Sequence, residues 1–208
     1  MRLKRDSTAG SIIELVVVIA AAVGIALLVQ QFVVKPYRIP SGSMEPTLAI
    51  GQRVLVDRIG QRLGDPDVGD IVVFHPPTGA DTSQCGKPGQ GPFYDGPLSH
   101  FPCDTPTSKR SSQTFIKRVV AGPGDRLSVH GGYAVVNGKL QSASYIRACG
   151  GGPECELNEI RIPAGSFFMM GDNRGQSDDS RFWGPVPKGW VIGTAFATYW
   201  PPSRVGLF

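Results

Sequence analysis

The chain has 208 residues, enough for one medium domain with its own core. At 41% hydrophobic it is too apolar to stay disordered, and 27 Gly with 18 Pro exclude a helical bundle, so many short strands are expected. The formal charge of +4 is scattered, with its densest cluster at Arg2, Lys4 and Arg5. No basic face with interleaved aromatics stands out, so nucleic acid is not expected as a partner.

The first element is Leu15 to Val34, an uncharged and mostly apolar run of 20 residues. As a helix rising about 1.5 Å per residue it spans roughly 30 Å, the thickness of a bilayer core. A cleaved signal peptide has a shorter apolar region, about 7–15 residues, and a small-residue cleavage site. Here the run leads into "QQFVVKPYR" with no such site. The expected organisation is a cytoplasmic segment 1–11, a transmembrane anchor 12–34 and a folded domain 35–208 that faces a lipid bilayer.

Charge does not settle the orientation. Arg2, Lys4 and Arg5 precede the span, while Lys35, Arg38 and Arg53 follow it closely, and long domains cross with little regard to charge. Cysteines point outward. Cys149 and Cys155 bracket "GGGPE", and Cys85 and Cys103 bracket a Gly/Pro-rich stretch, with no C-x-x-C pair. Two disulfides outside the cytoplasm, Cys149–Cys155 and Cys85–Cys103, are the simplest account, although four cysteines allow about three pairings.

"GSIIELVVVIAAAVGIALLV" also looks like the start of a type IV prepilin, which would make the chain an anchored structural subunit. Glu14 stands one place early for that pattern, and Ser11 replaces the usual Phe or Met.

Beyond the anchor, strands are expected at 53–59, 70–75, 114–121, 126–129, 133–136, 167–171 and 190–200, all β-branched or aromatic runs between turn signals. Asn137-Gly138 is the strongest two-residue hairpin signal. Residues 76–113, rich in Gly, Pro, Ser and Thr, read as a surface excursion stapled by Cys85 and Cys103.

Three stretches bear on chemistry. In "YRIPSGSMEPTL" (37–48), Pro40 fixes one φ and Gly42 frees another, so Ser43 sits on a sharply defined turn. A polar juxtamembrane tether is the plainer reading, but Met44 and Leu48 are apolar where a tether would be polar. In "FIKRVVAGPGDRL", strand alternation sends Lys117 and Arg118 to opposite faces, so one of them points inward. Lysine suits that position, because burial lowers its pKa from about 10.4 towards neutrality whereas arginine stays charged. An exposed Lys–Arg pair at a sheet edge is the alternative. The histidines, His75, His100 and His130, all read as surface residues.

The third stretch is "MMGDNRGQSDDSRFWGP" (169–185). Its acids suggest a calcium loop, but Arg174 occupies a ligand position and Trp183 stands where the closing Glu belongs. Asp172, Arg174, Asp179 and Arg181 instead form a charge set expected to pair internally and stiffen the loop. No cluster has metal-ligand spacing, so neither metal nor organic cofactor is expected.

"PSGSMEPTL", "GDIVVF", "IKRVVAGPGDRL" and "GDNRGQSDDSRFWGPV" occur in that order behind an N-terminal anchor. Together they resemble bacterial type I signal peptidase, the membrane-bound Ser/Lys protease that removes signal peptides. The resemblance implies a mostly β fold: an antiparallel, barrel-like catalytic domain behind one transmembrane helix, with an apolar surface meeting the bilayer. It implies Ser43 as nucleophile, Lys117 as general base, Ser41 with the Ser43 N–H as oxyanion hole, and Ser177 orienting Lys117. Ser177 should contact Lys117, and Asp178 and Asp179 should face away from it. Asp172, Arg174, Asp179 and Arg181 would support the site.

The implied partners are preprotein signal peptides with small side chains at −1 and −3, cut by a monomer on the outer face of the bacterial cytoplasmic membrane. Two features depart from the family pattern. The second β subdomain, 137–165, must be reduced, and the 76–113 excursion has no counterpart in the minimal core. A conjugation-type processing peptidase shares the Ser/Lys chemistry. A self-cleaving repressor would need a DNA-binding module, and none is present.

Overall fold

A computed structural model describes residues 8–90, 102–142 and 144–208. Helix α1 (Thr8–Phe32) contains a window, Gly10–Leu27, of mean hydropathy 2.5 with no residue buried. Such a helix is apolar on every side and finds no core of its own to enter.

The helix leads almost directly into β1 (Val34–Arg38), which pairs antiparallel with β2 (Arg53–Asp57). The loop between them carries Ser43 and is clasped at its base, where Ile39 N–H donates to Gln52 O and Gly51 N–H to Ile39 O, each at 2.8 Å. After a single helical turn, α2 (Gly60–Leu63), come β3 (Ile71–Phe74) and β4 (Phe115–Ala121), joined through the excursion. A small sheet follows, built from β5 (Arg126–His130), β6 (Tyr133–Val136), β7 (Lys139–Leu140) and β8 (Leu157–Arg161) in the order β7-β6-β5-β8. The chain then returns through β9 (Ser166–Met170), helical turn α3 (Ser180–Trp183), β10 (Val186–Pro187), β11 (Val191–Trp200) and β12 (Gly206–Leu207).

The large sheet is ordered β1-β2-β11-β3-β4-β9-β10, with β12 on β11, and every pairing is antiparallel. The fold is thus mostly antiparallel β behind one apolar helix, as the sequence implied.

Each expected strand is present, because β-branched and aromatic residues suit a half-buried pleated surface. Five strands were not foreseen among the described residues, of which β7, β10 and β12 are two-residue pairings and β1 and β8 are longer. β1 contains Pro36, which a sheet tolerates at an edge where no N–H is needed. β8, "LNEIR", buries only its first and fourth residues, so its alternation is broken. Asn137 and Gly138 both take positive φ, 51° and 76°, as a tight hairpin between β6 and β7 requires. The small sheet begins at Arg126, so β5 and β6 pair with strands of the 137–165 segment, while their buried Leu127, Val129 and Ala134 pack on Val120, Ala121, Phe168 and Met170 of the large sheet.

Met44 and Leu48 are fully buried in one core cluster with Val54, Val56, Ile71 and Val73. They bolt the Ser43 loop onto the sheet, each side chain contributing about 1.5–3 kcal/mol as an upper estimate. Cys85–Cys103 and Cys149–Cys155 are both disulfide-bonded. His100 and part of the excursion lie outside the described residues.

Candidate active site

Ser43 occupies a single 3-10 turn, Gly42–Met44, and is 8% exposed. Lys117 lies in β4, opposite Val72 of β3, and is 4% exposed. Alternation along β4 sends it inward, and its Nζ meets the Ser43 Oγ at 2.7 Å. Burial lowers the Lys117 pKa from its ordinary 10.5 to about 8. Asp179, Asp178 and Asp172 oppose that drop by stabilising the ammonium, while Arg181 adds to it. A hydroxyl held against an amine that readily loses its proton is the geometry a nucleophile and its base require.

The pair lines a cleft of about 580 Å³ whose walls are residues 37–41 and 113–117, with Gln176 and Asp178 also lining it. Both walls are strand edges. β1 pairs only with β2, and β9 joins β4 only from Arg118 onward, so Phe115 to Lys117 present an edge with no strand partner among the described residues. Free backbone donors and acceptors on two facing edges suit an extended peptide.

Ser41 is exposed at the mouth of the turn, its Oγ 3.4 Å from that of Ser43. Ser177 is buried nearby, and its Oγ makes no hydrogen bond to Lys117 or to any other described residue. No Ser177–Lys117 hydrogen bond is formed, and the Ser177 hydroxyl lies against Gly171, where an added Cβ would run into it. Neither aspartate is salt-bridged to Lys117 among the described residues. Asp178 lines the cleft and its charge acts on Lys117. Asp179 is fully buried and committed to Arg181, so its influence on the amine is through space.

The charge set of the last motif does not pair internally as a whole. Asp179 and Arg181 do pair: Oδ1 accepts from Nε and Oδ2 from Nη2, both at 2.8 Å. Asp179 also caps α3 by accepting from Arg181 N–H, and it accepts from Gly171 N–H at 3.0 Å. Asp172 instead takes Arg118, Nε to Oδ1 at 2.9 Å and Nη2 to Oδ2 at 2.7 Å. Arg118 stacks over Tyr145, 4.1 Å from the ring centroid. Arg174 donates to the Gly132 carbonyl at 2.5 Å rather than to a carboxylate. Such a bidentate Arg–Asp pair fixes orientation as well as distance.

Sequence reasoning missed Thr47, whose Oγ1 donates to Asp172 Oδ2 at 2.5 Å and so ties the Ser43 loop to β4 through Arg118. It also missed Asn173, which grips the Ser43 turn. These contacts join residues more than a hundred positions apart, and only strand register brings them together. Cys149, Glu154 and Cys155 lie close enough to hold an ion, but both sulfurs are spent in a disulfide.

The family model described as signal peptidase, peptidase S26, matches residues 12–200. A probable signal peptidase I-2 of Synechocystis sp. is 36% identical over 94% of this chain and 76% of its own length. Signal peptidase I of Leptolyngbya laminosa is 35% identical over 90% of this chain and 79% of its own. A signal peptidase I crystal structure from Enterococcus faecalis V583 is 20% identical, covering 63% of this chain and 97% of that one with a TM-score of 0.38. These sequence matches make the protein a serine endopeptidase by class. It belongs to the signal peptidase family, peptidase S26.

Proposed function

We propose that this protein removes signal peptides from exported preproteins, held in the membrane by α1 with its β domain on the outer face. The observation that carries the reading is the 2.7 Å approach of Lys117 Nζ to Ser43 Oγ in a peptide-sized cleft. Neutral Lys117 takes the proton from Ser43 Oγ as that oxygen attacks the scissile carbonyl carbon. The oxyanion that forms is stabilised by the Ser43 N–H and the Ser41 hydroxyl. The C–N bond then breaks, Lys117 returns its proton to the departing amine, and an ester to Ser43 remains. Water, deprotonated by Lys117, hydrolyses the ester and restores both groups.

Ser177 orients the amine by restricting its rotamers. Its buried and unpaired hydroxyl supports this role, since it is free to turn towards Lys117. The Asp172–Arg118 and Asp179–Arg181 pairs, with Arg174, hold the loop that carries Ser177. The open edges of β1 and of Phe115 to Lys117 receive the segment before the cut as an added strand. Because β1 starts one residue past α1, that end of the cleft lies at the membrane surface. A substrate whose own apolar segment stays in the bilayer reaches it directly. The disulfides favour the outer face.

Incubation of the purified full-length protein with a preprotein, followed by mass spectrometry, tests the reading. Cleavage after the signal peptide is expected from the wild type, with none from Ser43→Ala or Lys117→Arg, because a guanidinium cannot act as base near neutral pH. Full activity in either variant refutes the assignment. Activity should survive EDTA, and a loss in EDTA reversed by zinc would show a metal role.

A further inference from the structure

We infer that Asn173 is a positioning residue that aims Ser43, fixing both its hydroxyl and its backbone N–H. The inference rests on the reading of Ser43 as nucleophile.

Asn173 is 1% exposed. Its backbone N–H donates to the Ser43 carbonyl at 3.0 Å, and its side-chain Nδ2 donates to the Gly42 carbonyl at 3.1 Å. These two carbonyls bracket the Ser43 Cα. One belongs to the peptide plane that carries the Ser43 N–H, the other to the plane that follows. A trans peptide is flat, with N–H and C=O pointing opposite ways. Holding the Gly42 oxygen on Asn173 therefore turns the Ser43 N–H away from Asn173. With both planes held, the hydroxyl keeps only its χ1 rotation, and Lys117 restrains that at 2.7 Å.

The grip is itself rigid. Glu45 N–H donates to the same Gly42 oxygen at 3.0 Å, so that plane is held locally and from a distance. Asn173 Nδ2 also reaches Gln176 Oε1 at 3.3 Å, and Gln176 N–H returns to Asn173 O at 3.0 Å. On either side, Arg147 N–H donates to Asp172 O (2.8 Å) and Arg174 N–H to Arg147 O (3.2 Å). A Cβ on Gly171 would come within 2.5 Å of the Ser43 oxygen, so only glycine lets this loop approach closely enough for Asn173 to reach.

A buried amide that merely secured the loop would behave differently. Its loss would lower stability and leave turnover per folded molecule intact. Loss of an aiming residue lowers kcat while KM holds. It also weakens a peptide aldehyde, which adds Ser43 Oγ to its carbonyl carbon and so mimics the tetrahedral state, in step with kcat/KM. Binding of an uncleavable peptide stays the same.

The experiment compares full-length wild type, Asn173→Ala, Asn173→Asp and Val129→Ala for preprotein cleavage, aldehyde affinity, uncleavable-peptide affinity and Tm. Asn173→Ala should lose about 10²-fold in kcat, the scale of a small misplacement at a reacting centre. Aldehyde affinity should fall in parallel. Asn173→Asp, nearly isosteric, sets an acceptor against the Gly42 oxygen and should lose at least as much. Val129→Ala, buried in the small sheet, should lower Tm and keep kcat. Wild-type kcat in Asn173→Ala, unchanged aldehyde affinity, or an equal kcat loss in Val129→Ala overturns the inference while leaving the proposed function standing. A folded wild type that cleaves no preprotein overturns the proposed function, and this inference with it.

Discussion

Lys117 Nζ meets Ser43 Oγ at 2.7 Å across 74 residues of chain, with the lysine buried beneath the cleft that it lines. Burial is what makes this amine usable as a base, and burial is also what makes it costly. Both consequences are measurable.

The pH dependence of kcat/KM reports the free enzyme's essential base. Activity needs Lys117 neutral, so it should rise as pH climbs through about 8. Burial drives the pKa down, while Asp179, Asp178 and Asp172 pull it back up and Arg181 lowers it further. Asp178 is the acid of this set that lines the cleft. Asp178→Asn removes one charge that stabilises the ammonium, so the rising limb should move to lower pH. A limb that stays where it is would show that Asp178 does not act on the base.

Lys117 should also cost stability. Its folded pKa of about 8 lies below the ordinary 10.5, so the folded state holds the ammonium less well than the unfolded chain does. Below pH 8 the full penalty applies, and it is shed as pH rises from about 8 to 10.5. Lys117→Met, similar in length and uncharged, should therefore abolish cleavage and stabilise the protein at neutral pH by up to roughly 3 kcal/mol. The gain should shrink in alkaline buffer. Denaturant unfolding of both proteins at two pH values checks this, and a Met variant less stable than wild type at pH 7 would contradict it.

Ser177 combines burial with an unpaired hydroxyl, which is unfavourable for the fold. Ser177→Ala removes that unpaired group, so it should leave Tm unchanged or raise it. It should slow cleavage substantially without abolishing it, because nucleophile and base remain while the amine loses a neighbour that limits its rotamers. Preprotein cleavage and thermal unfolding measured on the same preparation separate the two effects. Cleavage at the wild-type rate would remove Ser177 from the mechanism.

Much of the fold was legible because its strands are runs of Val, Ile and Phe between Gly and Pro. β1 escaped because Pro36 and two cations break its pattern, and an edge strand tolerates both. Within the site, alternation put Lys117 and Arg118 on opposite faces, and it took the lower cost of neutralising a lysine to favour Lys117 for the inner one over an exposed pair. Ion pairing was not legible. Asp172 and Arg174 are near neighbours in sequence, but Asp172 turns to Arg118, 54 positions away. Which charge faces which depends on how β4 and β9 are registered, and a single sequence carries no trace of that.

The two disulfides should differ in what they protect. Cys85–Cys103 spans 18 residues and Cys149–Cys155 spans 6, so chain entropy favours the first, about 3 kcal/mol against about 2 kcal/mol. Their surroundings reverse the order for catalysis. Cys103 packs on Gly184, at the far end of α3 from Asp179. Cys149 instead packs on Gly132, whose carbonyl receives Arg174 and whose N–H donates to Cys155 O at 2.8 Å. Inside the same small loop, Glu154 O accepts Arg181 Nη1 at 2.5 Å. Opening Cys149–Cys155 therefore loosens two carbonyls that hold buried guanidiniums beside the site; Arg181 keeps Asp179, but Arg174 loses its oxygen acceptor, which is costly for a buried charge. Replacing Cys149 and Cys155 by Ala should lower both Tm and kcat. Replacing Cys85 and Cys103 should lower Tm at least as much and leave kcat close to wild type. Parallel unfolding and cleavage measurements on the two double variants decide the matter, and a kcat loss confined to the Cys85/Cys103 variant would mean that the excursion, not the small loop, is coupled to the active site.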